Sequence, residues 1–159
     1  IEGFNVASEK NKIQLLIVGW FDENNKSSLT PNSLNDLIQG FDNIKFLGRQ
    51  SDIPEIMHLA DVAILPTYYR EGTPRFLLEA MAMKKPIITT NMPGCNHLIW
   101  NDENGILIEP RSSEAIVESI NVICAKNLTT MGEVSYKIYK SDFSESVVYN
   151  SLVEIYQKL

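Results

Sequence analysis

The feature that most constrains this chain is the alternation of short apolar runs with amphipathic stretches. Apolar runs at 13–19, 44–48, 61–66, 86–90 and 105–108 predict five strands. Amphipathic stretches at 29–41, 51–60, 75–83, 112–125, 128–139 and 144–158 predict helices, the first of them with Thr30 as N-cap and Pro31 at the first helical position. Because several strands are apolar on both faces, they are expected to be covered on both faces. The predicted fold class is therefore α/β, a doubly wound parallel sheet in a three-layer sandwich.

Composition narrows the function classes. The 159 residues are 44% hydrophobic with a formal net charge of −6, which suits one domain and argues against non-specific nucleic-acid binding. Cys95 and Cys124 are far apart, so neither a disulfide framework nor a zinc site is expected. No apolar run approaches the ~20 residues that span a bilayer, and no signal peptide is visible. We predict a cytoplasmic protein without a transmembrane segment.

The segment 66–82, PTYYREGTPRFLLEAMA, is the best candidate for ligand binding. It leaves a buried strand at the edge where such sheets bind ligands, and it passes through Gly72. Thr73 is the predicted N-cap of the following helix, and Pro74 its first residue. The amides and dipole of a helix start attract an anion, with phosphate the obvious candidate, and Arg75 adds positive charge.

Two glutamates in this segment allow two interpretations. Glu79 stands in an otherwise apolar helix, where a carboxylate is costly unless it is paired or hydrogen bonded. A sugar diol would satisfy it, and Glu71, about two turns earlier, would reach the same ligand. Alternatively, Arg75 and Glu79 form an ordinary surface ion pair four residues apart, and Glu71 only occupies a loop tip. Both interpretations stay open on the residues alone.

Glu71 to Glu79 has the form E-x7-E and resembles the nucleotide-sugar site of the group 1 retaining glycosyltransferases. Those enzymes have two Rossmann-like domains that face each other across a cleft, the GT-B architecture. A bare E-x7-E is common, but an ordered series of segments resembles that family's C-terminal domain over nearly the whole chain. These segments are IQLLIVG, IKFLGRQSDIPEIMHLADVAILPTYYREG, KPIITTNMPGC, NGILIEP and FSESVVYNSLVEIYQKL.

The resemblance implies a domain organisation. Residues 1–159 would form a single Rossmann-like nucleotide-sugar-binding domain, the C-terminal half of a longer two-domain enzyme. The helix at 143–159 would pack on the N-terminal domain, although packing within this domain's own core is an equal alternative. The family's basic pair on the donor diphosphate lies in a segment before residue 1, so this chain alone is expected to be inactive.

The resemblance also implies residue roles. Glu71 would be the catalytic residue, in contact with donor-sugar hydroxyls near the anomeric centre, and Glu79 would bind the ribose. Contacts to the diphosphate would come from Gly72 and from the backbone of the next four residues, Thr73, Pro74, Arg75 and Phe76. Gly48 and Arg49 would border the nucleotide base.

Three further residues follow predicted strands. Gly19 and Gly94 would supply backbone freedom next to the ligand. His97 either contacts the sugar or only begins a helix, and Asn96-His97 replaces the Arg-Glu-like pair usual in the family. Clustered Asp or His ligands are missing from the sequence, so neither a metal nor a cofactor is expected beyond the co-substrate.

The predicted function is donor binding in a retaining hexosyltransferase. An NDP-sugar, of the UDP type by family habit, would be the donor, and a glycan or lipid-linked acceptor would bind through the missing N-terminal domain. Bacterial surface polysaccharide synthesis is the expected setting, with peripheral attachment at the inner membrane through that same domain. A nucleotide-sugar 2-epimerase of the same architecture and a non-catalytic sugar-nucleotide-binding module are the alternatives.

Overall fold

From residue 13 onward, helices and strands follow one another in the order that the sequence predicts. The computed structural model describes residues 1–22, 24, 28–70 and 72–158. The helices are α1 (Glu2–Ser8), α2 (Pro31–Ile38), α3 (Ile53–Leu59), α4 (Arg75–Ala82), α5 (Ser113–Cys124), α6 (Leu128–Ile138) and α7 (Glu145–Tyr156). The strands are β1 (Leu15–Val18), β2 (Ile44–Gly48), β3 (Ala63–Leu65), β4 (Ile87–Thr90) and β5 (Gly105–Ile108).

The strands pair in parallel, but their hydrogen bonds form two sheets instead of the single sheet predicted. Within the described residues, β1 pairs with β2, and β4 lies between β3 and β5. Apolar side chains join the two sheets, since Ile17 of β1 and Ile64 of β3 pack against the same buried cluster. The α/β fold class is confirmed, and side-chain packing connects its two sheets.

Strand β4 shows why helices cover both faces of the larger sheet. All four of its residues are buried. Ile87 belongs to a core cluster with Leu77 of α4, whereas Ile88 belongs to a second cluster with Phe4 of α1 and Ile123 of α5. Successive strand residues point to opposite faces, so each face has its own helix layer. Each such buried side chain contributes about 1.5–3 kcal/mol, and the three-layer arrangement is confirmed.

Capping residues set the boundaries of α2. Thr30 is its N-cap, and the Thr30 side chain accepts a hydrogen bond from the Ser33 amide at 3.1 Å. Pro31 is the first helical residue, as predicted. The helix ends before the predicted position 41, because Gly40 takes a φ of +86° just beyond it.

Two short elements lie outside the predicted helices. A 3-10 helix at Asn96–Leu98 contains His97, for which a helix start was one of the two predicted roles. A π-helical turn at Tyr139–Phe143 joins α6 to α7 and was not predicted, because a single turn carries too few residues for a periodic apolar pattern.

The last helix, α7, lies largely outside the core. None of its residues is buried, and Tyr149, Leu152, Ile155 and Tyr156 are exposed. Packing of this helix within the domain's own core is therefore not seen. Packing of 143–159 on an N-terminal domain stays a prediction.

The junction between α4 and α6 is unusually close. Lys84, just after α4, takes a φ of +57° and donates a hydrogen bond to Glu133 of α6 at 2.7 Å. That hydrogen bond, with the charge of Glu133, raises the pKa of Lys84. A Cβ added at Gly132 of α6 would lie 2.1 Å from the Lys84 carbonyl oxygen. Only glycine lets the two backbones approach this far.

Gly132→Ala is expected to lower the free energy of unfolding by about 1–3 kcal/mol, because the new methyl group would force the backbones apart. Urea unfolding of the parent and the variant measures the change. Helix propensity alone predicts the opposite sign, a gain of about 1 kcal/mol, and that outcome would contradict the role of close packing. Gly72→Ala is the control, since a Cβ there meets nothing within 4 Å.

Candidate functional site

The start of α4 lies at the end of the loop that follows β3. Arg75 is the first residue of the helix, and Pro74 is its N-cap, with a φ of −67° and a ψ of 124°. The prediction that Thr73 is the N-cap and Pro74 the first helical residue is therefore wrong by one position. The φ that proline imposes suits either position, and here its extended ψ keeps Pro74 outside the helix.

This shift leaves the helix start without a side-chain cap. The first hydrogen bonds within the helix run from the amides of Leu77 and Leu78 to the carbonyl of Pro74, at 3.1 and 3.4 Å. The amides of Arg75 and Phe76 precede them, at the positive end of the helix dipole. These two amides suit an acceptor supplied by a ligand, as the sequence predicts for a phosphate.

Thr73 contacts another predicted site residue. Its Oγ1 lies 3.3 Å from Nε2 of His97, which belongs to the 3-10 helix after β4. Gly94, with a φ of +91°, turns the chain just before this helix. The His97 ring also lies 5.9 Å from the ring of Phe143 in the π-helical turn. Three segments thus meet at the start of α4, and contact between His97 and a sugar stays a prediction.

Glu79 forms the ion pair that the sequence allowed. Its Oε1 lies 3.5 Å from Nη2 of Arg75, and their side chains are 41% and 90% exposed. The Glu79 side chain lies on the solvent side of α4, whereas Leu77 and Met81 fill the core. A surface pair at this spacing contributes about 0.3–0.5 kcal/mol, so a ligand would displace it at little cost.

Glu71, the predicted catalytic residue, lies outside the described residues. Its neighbours Arg70 and Gly72 are exposed. A Cβ added at Gly72 would meet nothing within 4 Å, so the backbone borders open space there. Phe76 instead packs against the core behind α4.

The ends of β1 and β2 bring four residues together. The Gly19 amide donates to the Gly48 carbonyl at 3.1 Å, and Gly48 takes a φ of +67°, a conformation that favours glycine. Arg49 is exposed, and its guanidinium carbon lies 5.5 Å from the centroid of the Trp20 ring. The sequence singled out Gly19, Gly48 and Arg49 but missed Trp20.

A second cation lies over an aromatic ring at the edge of the larger sheet. The Arg111 guanidinium carbon is 4.3 Å from the Tyr68 ring centroid, and the Tyr68 hydroxyl donates to Tyr69 at 2.9 Å. Arg111 follows β5 and Tyr68 follows β3, so their loops emerge at the same edge, on either side of β4. No pattern in the sequence points to Arg111, because its φ of +61° and its cross-loop contact depend on the fold.

The start of α4 suits an anionic group of a ligand, and the arginine–aromatic contacts at the strand ends suit a flat ring. Amides at a helix start bind phosphate oxygens, and planar guanidinium groups bind anions and stack on flat rings. Within residues 1–22, 24, 28–70 and 72–158, no group of three or more His, Cys, Asp or Glu side chains is arranged to hold a metal ion. None of the helices within these ranges combines the length and the apolar character of a transmembrane segment.

Comparisons with known proteins agree on one family. The family model described as glycosyl transferases group 1 matches residues 2–138. The chain is 32% identical over 114 residues to the N,N'-diacetylbacillosaminyl-diphospho-undecaprenol alpha-1,3-N-acetylgalactosaminyltransferase of Campylobacter jejuni, covering 72% of this chain and 28% of that protein. It is 28% identical over 168 aligned positions to the capsular polysaccharide biosynthesis glycosyltransferase CapM of Staphylococcus aureus, covering 98% of this chain and 41% of CapM.

A solved structure shows the same fold. Anabaena HepE, crystallised with UDP, superposes with a TM-score of 0.84 at 21% identity, covering 99% of this chain and 44% of HepE. The chain thus spans less than half the length of each of these three proteins. With the family model matched from residue 2 to residue 138, this chain belongs to the group 1 glycosyl transferases and has the fold of their C-terminal, Rossmann-like GT-B domain.

Proposed function

We propose that this chain binds the nucleotide-sugar donor, of the UDP type, in a retaining glycosyltransferase. The observation that carries the proposal is the uncapped start of α4, where the amides of Arg75 and Phe76 precede the first helical hydrogen bonds. Thr73 and His97 lie together beside it. A diphosphate matches this start in charge and in its need for hydrogen-bond donors.

Relatives support the choice of donor and setting. HepE has been crystallised with UDP and with UDP-glucose. The Campylobacter relative is named as an N-acetylgalactosaminyltransferase acting on a sugar linked to diphospho-undecaprenol, and CapM as an enzyme of capsular polysaccharide biosynthesis. We extend these activities to the complete protein as a proposal: transfer of a hexose or related sugar to a glycan or lipid-linked acceptor in bacterial surface polysaccharide synthesis.

The start of α4 has a direct role in this chemistry. When the sugar departs, negative charge builds up on the diphosphate that it leaves. Amides and a helix dipole already aimed at that charge stabilise the transition state without reorganising. In the proposal Gly72 leaves room for the diphosphate beside the backbone, and Arg75 turns from Glu79 towards it.

Glu79 then exchanges one partner for another. Its carboxylate accepts from the ribose hydroxyls in place of the weak ion pair with Arg75. Glu71 contacts hydroxyls of the donor sugar close to the anomeric carbon. Gly19, Gly48 and Arg49 border the nucleotide on the side of the smaller sheet.

A donor screen on the complete protein tests the proposal as a whole. The protein is incubated with a panel of NDP-sugars and lipid-linked or glycan acceptors, and the glycosylated product is measured. Transfer from one UDP-sugar is the expected result. Epimerised sugar nucleotide without transfer would indicate the 2-epimerase instead, and UDP binding without any product would indicate the non-catalytic module.

Glu79→Ala is expected to weaken UDP binding about 10- to 100-fold, because a hydrogen bond to a charged group is lost. Calorimetry of the complete protein with UDP measures the affinity. The free energy of unfolding should change by less than about 0.5 kcal/mol, as for the loss of a surface pair. Glu118→Ala, an exposed glutamate on α5, is the control. Unchanged UDP affinity in Glu79→Ala would remove the ribose role.

Glu71→Gln is expected to lower kcat on the order of a hundredfold while UDP affinity changes little, because its contact with the sugar matters most in the transition state. Steady-state kinetics with a saturating UDP-sugar separate the two effects. Glu103→Gln, at another exposed glutamate, serves as the matched control. A Glu71→Gln enzyme with parental kcat would take Glu71 out of the mechanism.

A further inference from the structure

Trp20 is turned outward at the end of β1. It exposes 70% of its surface, although tryptophan is highly buried on average. The next residue, Phe21, anchors this part of the chain, with its ring 5.3 Å from that of Phe46 in β2. The outward position of Trp20 is therefore held by its neighbour, while its own ring stays accessible to a ligand.

Trp20 and Arg49 each follow a glycine at the end of a strand. The two strands are neighbours, since Val18 of β1 pairs with Gly48 of β2, so Trp20 and Arg49 lie at adjacent strand ends. A Cβ added at Gly19 or Gly48 would meet nothing within 4 Å. At this end of the smaller sheet the Arg49 guanidinium carbon lies 5.5 Å from the centroid of the Trp20 ring, and the described residues leave space beside the two glycines.

We propose that Trp20 is the platform on which the base of the donor nucleotide stacks, which rests on and deepens the proposed function. A nucleobase has flat faces that stack on tryptophan and a polar edge that stays hydrated or hydrogen bonded. The guanidinium of Arg49 lies over one face of the Trp20 ring, so the base stacks on the opposite face. Stacking accepts every base, because every base has a flat face, so Trp20 supplies affinity for the nucleotide and not the choice among bases.

Base stacking on Trp20 differs measurably from two simpler roles of this side chain. If the Trp20–Arg49 contact were only a surface cation–π pair, it would affect stability slightly and ligand binding not at all. If a sugar ring lay on Trp20 instead of the base, the tryptophan would matter for UDP-glucose and not for UDP. Ligands with and without the base, and with and without the sugar, separate these cases.

Calorimetry of the complete protein with UDP, UDP-glucose and pyrophosphate is the test, on the parent, Trp20→Ala and Trp20→Phe. UDP and UDP-glucose should bind Trp20→Ala about 5- to 100-fold more weakly than they bind the parent. Trp20→Phe should lose less, because phenylalanine retains a flat ring. Pyrophosphate, which has no base, should bind all three alike, and the melting temperature should stay near that of the parent.

Fluorescence gives an independent readout. Stacking of the base on Trp20 should quench its emission when UDP is added, and this part of the quenching should vanish in Trp20→Phe. Trp100→Phe is the matched control. Trp100 is also exposed, at 53%, but it precedes β5 and so lies at the amino ends of the strands, whereas Trp20 lies at their carboxyl ends. Pyrophosphate should quench neither variant nor the parent.

Each remaining outcome overturns the inference. Equal UDP affinity in Trp20→Ala and the parent would overturn it while leaving the proposed function intact. Loss of UDP-glucose affinity alone would place the sugar on Trp20, and an equal loss for pyrophosphate would indicate general damage to the site. A parent protein that does not bind UDP would overturn both the inference and the proposed function.

Discussion

Burial of β4 on both faces is the constraint on which the rest of the structure depends. Its isoleucines supply the two core clusters, and its last two residues, Thr89 and Thr90, are buried hydroxyls that need partners. They donate to the carbonyls of Leu65 and Thr67, at the end of β3 and in the loop beyond it. The same strand that organises the core therefore also fixes the first residues of the loop that leads to α4.

Because packing around β4 holds these loops, the interactions within the candidate site itself can be weak. The ion pair on α4 contributes a few tenths of a kcal/mol, and the contact between Thr73 and His97 lies at the surface. Neither would hold a loop in place alone. Both can be exchanged for ligand contacts at low cost, because the packing behind Phe76 and Leu77 keeps the helix start in position.

The sequence predicts best what depends on local pattern. Strand and helix order followed from apolar periodicity, and the Thr30 cap followed from residue type and spacing. The N-cap of α4 was missed by one residue, because proline's φ suits both positions and only its ψ decides. Contacts across loops, such as Trp20 with Arg49, could not be predicted, since they depend on which strands are neighbours. Residue identity alone could not show that Glu79 is half-exposed, because the faces of α4 are defined by what packs on them.

The glycines show how the fold separates stability from binding. At Gly105 and Gly132 an added Cβ would lie 2.3 and 2.1 Å from the carbonyl oxygens of Ile87 and Lys84, so these glycines serve close backbone packing. At Gly48 and Gly72 an added Cβ would meet nothing within 4 Å. Packing cannot be the reason for glycine at these two positions. Gly48 needs its positive φ, whereas at Gly72 the backbone leaves the room that the proposed diphosphate site would require.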